Sequence, residues 1–323
     1  MEKFTVMVSA RSFGKIIPEP MKKLQENGFS IIECREGKDI DHAQLKKAVE
    51  TADAWIVSFY PITRELLDTA KNLKVIVKHG VGMDNIDIEA ATARGIIVAN
   101  APGSPEHAVP ELTIGMLLCI TRQIHTAHND VAAGGWNPFP GIGMYGKTLG
   151  IIGLGRIGVN VAKKVAGFGC RILGHDPYVT EAEIGLPYLS IVPLSQLYAE
   201  SDFICICAPL TEETEHTLNK KAFQQMKDGV IIVNTARGKI VDEQAIYDAL
   251  TAQKIGGYAT DVFETEPPVG SSLLTHPHVL CTPHMGSYTL DSLRLIGERT
   301  AQGVLDAMKG TIPEFIVNKE VVQ

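Results

Sequence analysis

The sequence predicts an α/β protein made of two doubly wound parallel-sheet domains with a cleft between them. Two observations predict it. Short β-branched runs alternate with helix-length amphipathic segments twice along the chain, and a Gly-x-Gly-x-x-Gly turn separates a strand from a helix in the second series. Strands that alternate with helices pair in parallel under covering helices. Ligands of such sheets gather beyond the carboxyl ends of the strands.

The first series reads FTVMVS, FSIIEC, AWIVSF, KVIVKHG and GIIVAN as strands, with segments such as DHAQLKKAVE and IDIEAATARG as helices between them. Near residue 100 the pattern changes. The stretch APGSPEHAVPELTIGMLLCITRQIHTAHNDVAAGGWNP opens with Pro and Ser, then reads as one helix of about 25 residues and closes in a Gly-rich loop, a crossover between domains. The second series supplies GIIGL, CRILGHD, FICICAP, GVIIVNT, GGYATDVF and HVLCTPH as strands. The amphipathic SLRLIGERTAQGVLDAMKG then returns across the first unit, so residues 1–100 with 290–323 are expected to form one domain and residues 101–289 the other.

With 323 residues and 45% hydrophobic content, the chain can fill two cores. A net charge of -7, with no Lys/Arg run interleaved with aromatics, argues against nucleic acid as a partner. No leader and no apolar stretch of about 18 residues is legible, which points away from secretion and membrane spanning. Cys34, Cys119, Cys170, Cys205, Cys207 and Cys281 lie in or beside apolar segments without a C-x-x-C pair. They read as reduced thiols of a cytoplasmic protein, and no metal site is expected.

The glycine turn is the strongest local signal. Gly153 permits the tight turn, Gly155 lets the backbone approach a pyrophosphate, and Gly158 lets the helix pack on its strand. The helix N-terminus attracts the anion. Asp176 ends the next strand, 18 residues past Gly158, and its carboxylate would accept from ribose hydroxyls and repel a 2′-phosphate, so this Rossmann-type domain should take NAD rather than NADP.

Three polar residues follow consecutive strands of the same sheet: Arg237 after GVIIVNT, Glu266 after GGYATDVF and His284 after HVLCTP. A guanidinium can grip a carboxylate with two parallel hydrogen bonds, and an imidazole can give or take a proton near neutral pH. A neighbouring carboxylate favours the imidazolium. Singly, each could be an ion pair, a solvated loop acid or a packed histidine. Together they have the parts required to interconvert a hydroxy acid and a keto acid.

GIIGLGRIG, CAPLTEET, VNTARGKIVDE, DVFETEPP and TPHMGS, in this order, resemble the D-isomer-specific 2-hydroxyacid dehydrogenases, most closely the phosphoglycerate dehydrogenase and hydroxypyruvate/glyoxylate reductase branches. The resemblance covers essentially the whole chain. It implies a flavodoxin-like substrate domain beside the Rossmann-type one, NAD as cofactor, and Arg237, Glu266 and His284 as the catalytic residues. It also implies that Arg156, Ile157, Pro177, Cys207, Pro209, Thr214, Thr235, Ala236, Asp261 and Gly286 join the glycine turn and Asp176 around the cofactor, with Asp261 near the nicotinamide amide. Backbone amides at Val81 and Gly82, in KHGVGMDNID, would hold the substrate carboxylate with Arg237 and His284.

Lys78 and His79 could add positive charge there or form a solvated strand end. A phosphate on the substrate would need a cation such as Lys78, Arg11 or Lys15, whereas a small uncharged pocket at Ser58, Phe59 and Tyr60 would favour glyoxylate or hydroxypyruvate. The sequence departs from the family in SPEHAVPEL, which lacks a family hydroxyl and places Pro110 near the start of the long helix. The chain stops at Gln323, where many phosphoglycerate dehydrogenases carry a regulatory domain, so serine feedback is not expected. The long helix and the Gly134-Gly135-Trp136 loop resemble the family's dimer-forming segment, which implies a homodimer. A reading of another class is an NAD-sensing, corepressor-like interaction protein, disfavoured because no long disordered tail is legible.

Overall fold

The computed structural model describes residues 4–37, 40–102 and 105–322. The chain forms two compact units, Met1–Pro105 with Ser287–Gln323 and Glu106–Gly286.

The first unit is built on β1 (Thr5–Val8), β2 (Ser30–Glu33), β3 (Ala54–Val57), β4 (Val75–Lys78) and β5 (Ile97–Ala99). They pair in parallel in the order β2-β1-β3-β4-β5, the flavodoxin-like order. The register is set by pairs such as Val6 with Ile31 and with Ala54. β1, β3 and β4 are covered on both faces, which is why they read as unbroken apolar runs. Between the strands lie α1 (Glu19–Glu26), α2 (His42–Val49), α3 (Arg64–Leu67) and α4 (Ile88–Ala93). Asp41, Thr63 and Asp87 cap the last three by accepting a backbone N–H of the first turn.

The second unit opens with α5 (Pro105–Thr121) and α6 (Ile124–Ala132), so the expected single long helix is two. The break has a tertiary cause. The returning segment takes the Thr121 carbonyl through the Ile142 N–H at 2.8 Å, and Gln123, left-handed at φ 52°, donates from its side chain to the Pro140 carbonyl. Pro110 lies inside α5 and cannot donate to the Glu106 carbonyl four residues back; Asn160 Nδ2 donates to it instead, at 2.9 Å.

The second sheet consists of β6 (Thr148–Ile152), β7 (Arg171–His175), β8 (Leu189–Ile191), β9 (Phe203–Ile206), β10 (Val230–Asn234), β11 (Ile255–Thr260) and β12 (Val279–Cys281). All pair in parallel, in the order β12-β11-β10-β9-β6-β7-β8. This is the doubly wound Rossmann arrangement with one strand added at the β12 edge. Six of the seven are the runs read from the sequence; β8 is the addition, three residues at the opposite edge. The interleaved helices are α7 (Arg156–Val165), α8 (Glu181–Ile184), α9 (Leu194–Glu200), α10 (Lys220–Gln225) and α11 (Glu243–Thr251). The last helix, α12 (Leu290–Met308), belongs to the first unit. There Gly297 packs on Pro20 and Gly303 on Val77. No described helix is long and apolar enough to cross a membrane.

Two expectations at the end of β4 are corrected. Lys78 is buried, not a solvated strand end: its ammonium donates to the Ser58 carbonyl and to Asn85 Oδ1. His79 adds no positive charge. Its ring is buried between Thr300 Oγ1 and Ser12 Oγ, each at 3.1 Å, and burial, with help from Arg35 and Lys78, pushes its pKa down to about 3. The imidazole is neutral in the fold and ionises freely once unfolded, so the stability it contributes is complete above pH 6.5 and falls as the pH drops toward 3. Replacing His79 with Gln should therefore flatten the loss of stability between pH 6 and 4 by up to about 1.4 kcal/mol per pH unit, measured by urea unfolding across that range.

Candidate active site

The glycine turn joins β6 to α7. Gly153 has φ +91° and donates its N–H to the His175 carbonyl at 2.8 Å; a Cβ there would come within 2.5 Å of the Ala208 nitrogen. A Cβ on Gly158 would lie 2.0 Å from the Gly153 carbonyl oxygen, so the helix could not reach the turn. Nothing lies within 4 Å of a Cβ built on Gly155, which caps the exposed start of α7. Gly153 and Gly158 thus close the turn, and Gly155 between them faces open space.

Asp176, one residue past β7, reaches back to the turn. Its Oδ2 accepts the Leu154 N–H at 2.8 Å and its Oδ1 the Tyr178 N–H at 3.0 Å. Arg156 and Pro177 are exposed and Ile157 is half-buried on the same rim. Beyond β9, burial pushes the Cys207 thiol up to about 12, so it is a neutral apolar wall and not a nucleophile. The Thr214 hydroxyl bridges Pro209 and Thr211: it donates to the Pro209 carbonyl and accepts the Thr211 N–H, both at 2.7 Å. Thr235 is buried with its hydroxyl 2.7 Å from that of Thr113, on α5, and Ala236 donates its N–H to Asn234 Oδ1.

Arg237, Glu266 and His284 follow β10, β11 and β12, which are neighbours in the sheet. His284 Nδ1 and Glu266 Oε2 are 2.7 Å apart, and both side chains are about three-quarters buried, at 22% and 27% exposure. Against an ionised carboxylate, Nδ1 is the donor of this pair. Arg237 is half-buried and donates to the Ala236 carbonyl, while Asn234 Nδ2 donates to the Arg237 carbonyl and squares off the turn.

The residue that sequence reasoning undervalued is Asp261. Its buried carboxylate accepts Thr282 Oγ1 at 2.6 Å and the N–H groups of Met285 and Gly286, each at 2.8 Å. Its carbonyl also accepts the His284 N–H. These bonds close the turn in which His284 adopts φ 51°, a left-handed conformation that L-residues avoid unless their surroundings enforce it. Burial raises the Asp261 pKa, against the hydrogen bonds that lower it. In this structure its carboxylate holds the turn that carries His284. No sequence pattern announced that role, because the strain is visible only in the backbone angles.

Val81 and Gly82 belong to the first unit, where Val81 is exposed at 41% and its carbonyl accepts Asn100 Nδ2. Among the described residues, no group accepts from the N–H of either residue.

These features define an NAD-binding α/β unit with an acid/base site at its strand ends. The family profile described as "D-isomer specific 2-hydroxyacid dehydrogenase, NAD binding domain" matches residues 114–286. The chain is 40% identical over 304 residues to a D-3-phosphoglycerate dehydrogenase of Methanocaldococcus jannaschii, covering 93% of this chain and 57% of that one. It is also 40% identical over 264 residues to a hydroxypyruvate reductase of Thermotoga maritima, covering 80% and 85% respectively. Among solved structures, a D-lactate dehydrogenase from Aquifex aeolicus complexed with NAD and lactic acid superposes with a TM-score of 0.84 at 28% identity, covering 97% of this chain and 98% of that one. The chain belongs to the D-isomer specific 2-hydroxyacid dehydrogenase family, and its cofactor is NAD. It spans little more than half the length of the phosphoglycerate dehydrogenase it matches. These relatives are dehydrogenases and a reductase, and none favours the corepressor-like reading.

Replacing Asp261 with Asn, which keeps the volume but turns one acceptor oxygen into a donor, should lower kcat about 10- to 100-fold through a displaced His284, with a far smaller change in melting temperature. Steady-state kinetics and calorimetry on the same sample check this.

Proposed function

We propose that the chain catalyses reversible hydride transfer between NAD and a D-2-hydroxy acid, with 3-phosphoglycerate and its 2-keto product, phosphohydroxypyruvate, as the favoured pair. The observation that carries the reading is the 2.7 Å contact between His284 and Glu266 at strand ends that neighbour Arg237. Bound NADH supplies the hydride to C2 of the keto acid. The chain's own groups do the rest. Arg237 grips the substrate carboxylate. In the first unit, the N–H groups of Val81 and Gly82 are donors of the kind an anion takes. Glu266 holds the Nδ1 proton and favours the imidazolium, so Nε2 delivers its proton to the C2 oxygen as that oxygen gains charge. In the reverse direction Nε2 takes the proton from the hydroxyl.

A phosphate substrate requires a cation, and the first unit supports Arg11 for that task. β1 and β3 are the strands at which the order of the first sheet reverses, where doubly wound sheets bind ligands. Arg11 follows β1 on a loop whose Ala10 and Phe13 carbonyls both accept from Arg35. Its guanidinium lies 5.7 Å from the centre of the Phe59 ring, at the end of β3, leaving the planar fork for an anion. The similarity to a hydroxypyruvate reductase favours hydroxypyruvate or glyoxylate as the second reading.

The further parts of the proposal concern assembly and compartment. Ile124, Val131, Trp136 and Tyr145 expose apolar surface on α6 and the segment after it, with Trp136 at 88%, which supports a homodimer through this face. Six free cysteines support a reducing, cytoplasmic setting.

The test is NADH oxidation with phosphohydroxypyruvate, hydroxypyruvate, glyoxylate, pyruvate and 2-ketoglutarate, with NADPH controls. Turnover with NADH alone is expected; none with any of these acids would end the proposal, and NADPH preference would remove the ribose role of Asp176. His284→Ala should reduce kcat by about a thousandfold or more and leave NADH binding within twofold, read by fluorescence titration. Arg11→Gln should raise KM for phosphohydroxypyruvate about tenfold and leave hydroxypyruvate kinetics within twofold. Equal effects on both acids would remove Arg11 from phosphate recognition.

A further inference from the structure

The loop after β11 carries a second glutamate, Glu264, whose bonds concern the loop and not the imidazole. Its N–H donates to Glu243 Oε1 at 2.8 Å, and its own Oε1 accepts the Glu243 N–H at 2.9 Å. Glu243 is the first residue of α11, so the reciprocal pair fastens the loop to a helix N-terminus, where carboxylates are favoured. His216 adds a third contact, with Nε2 3.1 Å from Glu264 Oε1. The His216 N–H in turn donates to the Lys239 carbonyl, two residues past Arg237.

A steric contact joins the same two loops. A Cβ on Gly238 would lie 1.9 Å from the Phe263 carbonyl carbon and 2.4 Å from the Glu264 nitrogen, so the backbone after Arg237 rests directly on the backbone before Glu266. From Phe263 the chain of contacts continues: its N–H donates to Glu266 Oε1 at 3.1 Å, and Glu266 Oε2 meets His284 at 2.7 Å.

We infer that Glu264 is a positioning residue. By clamping the loop to α11 and against Gly238, it fixes the distance at which Glu266 reaches His284 and ties that loop to the turn of Arg237. Two glutamates of different elements that each accept the other's backbone N–H make more contacts than a simple connecting loop requires. The clamp denies the Glu266 loop the freedom to swing away from the imidazole. The inference rests on the proposed role of His284 and deepens it.

Charged groups that meet His284 include Glu266 on this loop and Asp261 at its root. A loosened Glu266 therefore changes the charge that faces the imidazole, as removing its carboxylate does. The experiment compares Glu264→Ala, Glu264→Gln, Glu266→Gln and the double variant Glu264→Ala/Glu266→Gln, by pH–rate profiles and by NMR titration of the histidine ring signals, with His284→Ala assigning the relevant one among the 10 histidines. Glu264→Ala should lower kcat about tenfold, change KM for NADH less than twofold, and move both the profile and the His284 ring titration in the direction in which Glu266→Gln moves them. Glu264→Gln keeps an acceptor oxygen and should recover most of the loss. The double variant should be no worse than Glu266→Gln alone, because both act through one contact.

Glu264→Ala with a lower melting temperature but an unmoved midpoint would overturn the inference, as would additive effects in the double variant. If the alanine variant does not fold, His216→Ala removes one donor to Glu264 from a partly exposed side chain and should produce a smaller shift in the same direction; no shift would overturn it too. The NMR arm needs no turnover. An inactive parent protein would therefore refute the proposed activity while the clamp was still decided on its own.

Discussion

Asp261 carries a constraint on which the geometry around His284 depends. The chain ends a half-buried edge strand at Cys281 and turns within three residues, with His284 in a left-handed conformation. Such a conformation costs of order 1 kcal/mol or more and persists only when its surroundings outweigh it. Asp261 outweighs it with bonds to both flanks of the turn, to Thr282 on one side and Met285 and Gly286 on the other. The carboxylate itself is held at a disadvantage. With its pKa raised by burial, Asp261 contributes stability at acid pH and loses it as the pH rises through the folded value. A residue chosen for stability alone would not be ionisable there. Its retention makes sense if holding His284 matters more than the fold's margin.

The same logic separates what was legible in the sequence from what was not. The glycine turn was legible because its requirements are local: Gly153 needs a positive φ and Gly158 a missing Cβ, and both follow from a strand entering a helix over a few residues. The central strands of the first sheet, β1, β3 and β4, were legible for a similar reason, since a strand buried on both faces is apolar almost throughout. The strand ends bearing Arg237, Glu266 and His284 were legible as a group, because adjacency in a parallel sheet follows from the alternation. The helix break at Gln123 was not legible. It depends on a carbonyl at Thr121 being taken by a segment that returns about twenty residues later, and no helix propensity reports that. β8 escaped because three residues at a sheet edge carry no period.

Lys78 and His79 mark the sharper failure. In sequence they are two cations at a strand end, and strand ends are wet. In the fold, Thr300 of α12 closes over His79 from 221 positions away, and the Ser58 carbonyl takes the Lys78 ammonium. Burial then decides charge: it strips the proton from the imidazole, while hydrogen bonding keeps the lysine engaged. Charge counted from sequence alone therefore overstated the cationic character of this strand end.

A division of labour between backbone and side chain follows from these particulars. The cofactor half of the site is made largely of backbone: a turn, a helix start and a carboxylate that holds the Leu154 N–H. Such a surface recognises what all dinucleotides share, and it tolerates any chemistry at the strand ends nearby. The proposed catalytic half is made of three side chains whose spacing no single loop fixes, since each follows a different strand. Their alignment must come from contacts between loops, and those contacts are of two kinds here: carboxylates gripping backbone N–H groups at Asp261 and Glu264, and a backbone pressed on a backbone at Gly238. Both kinds are stiff, because neither passes through a long rotatable side chain that is free to reorient. Stiffness at that level is what a proton donor needs if its reach to the substrate oxygen is to hold within a few tenths of an ångström through the turnover cycle.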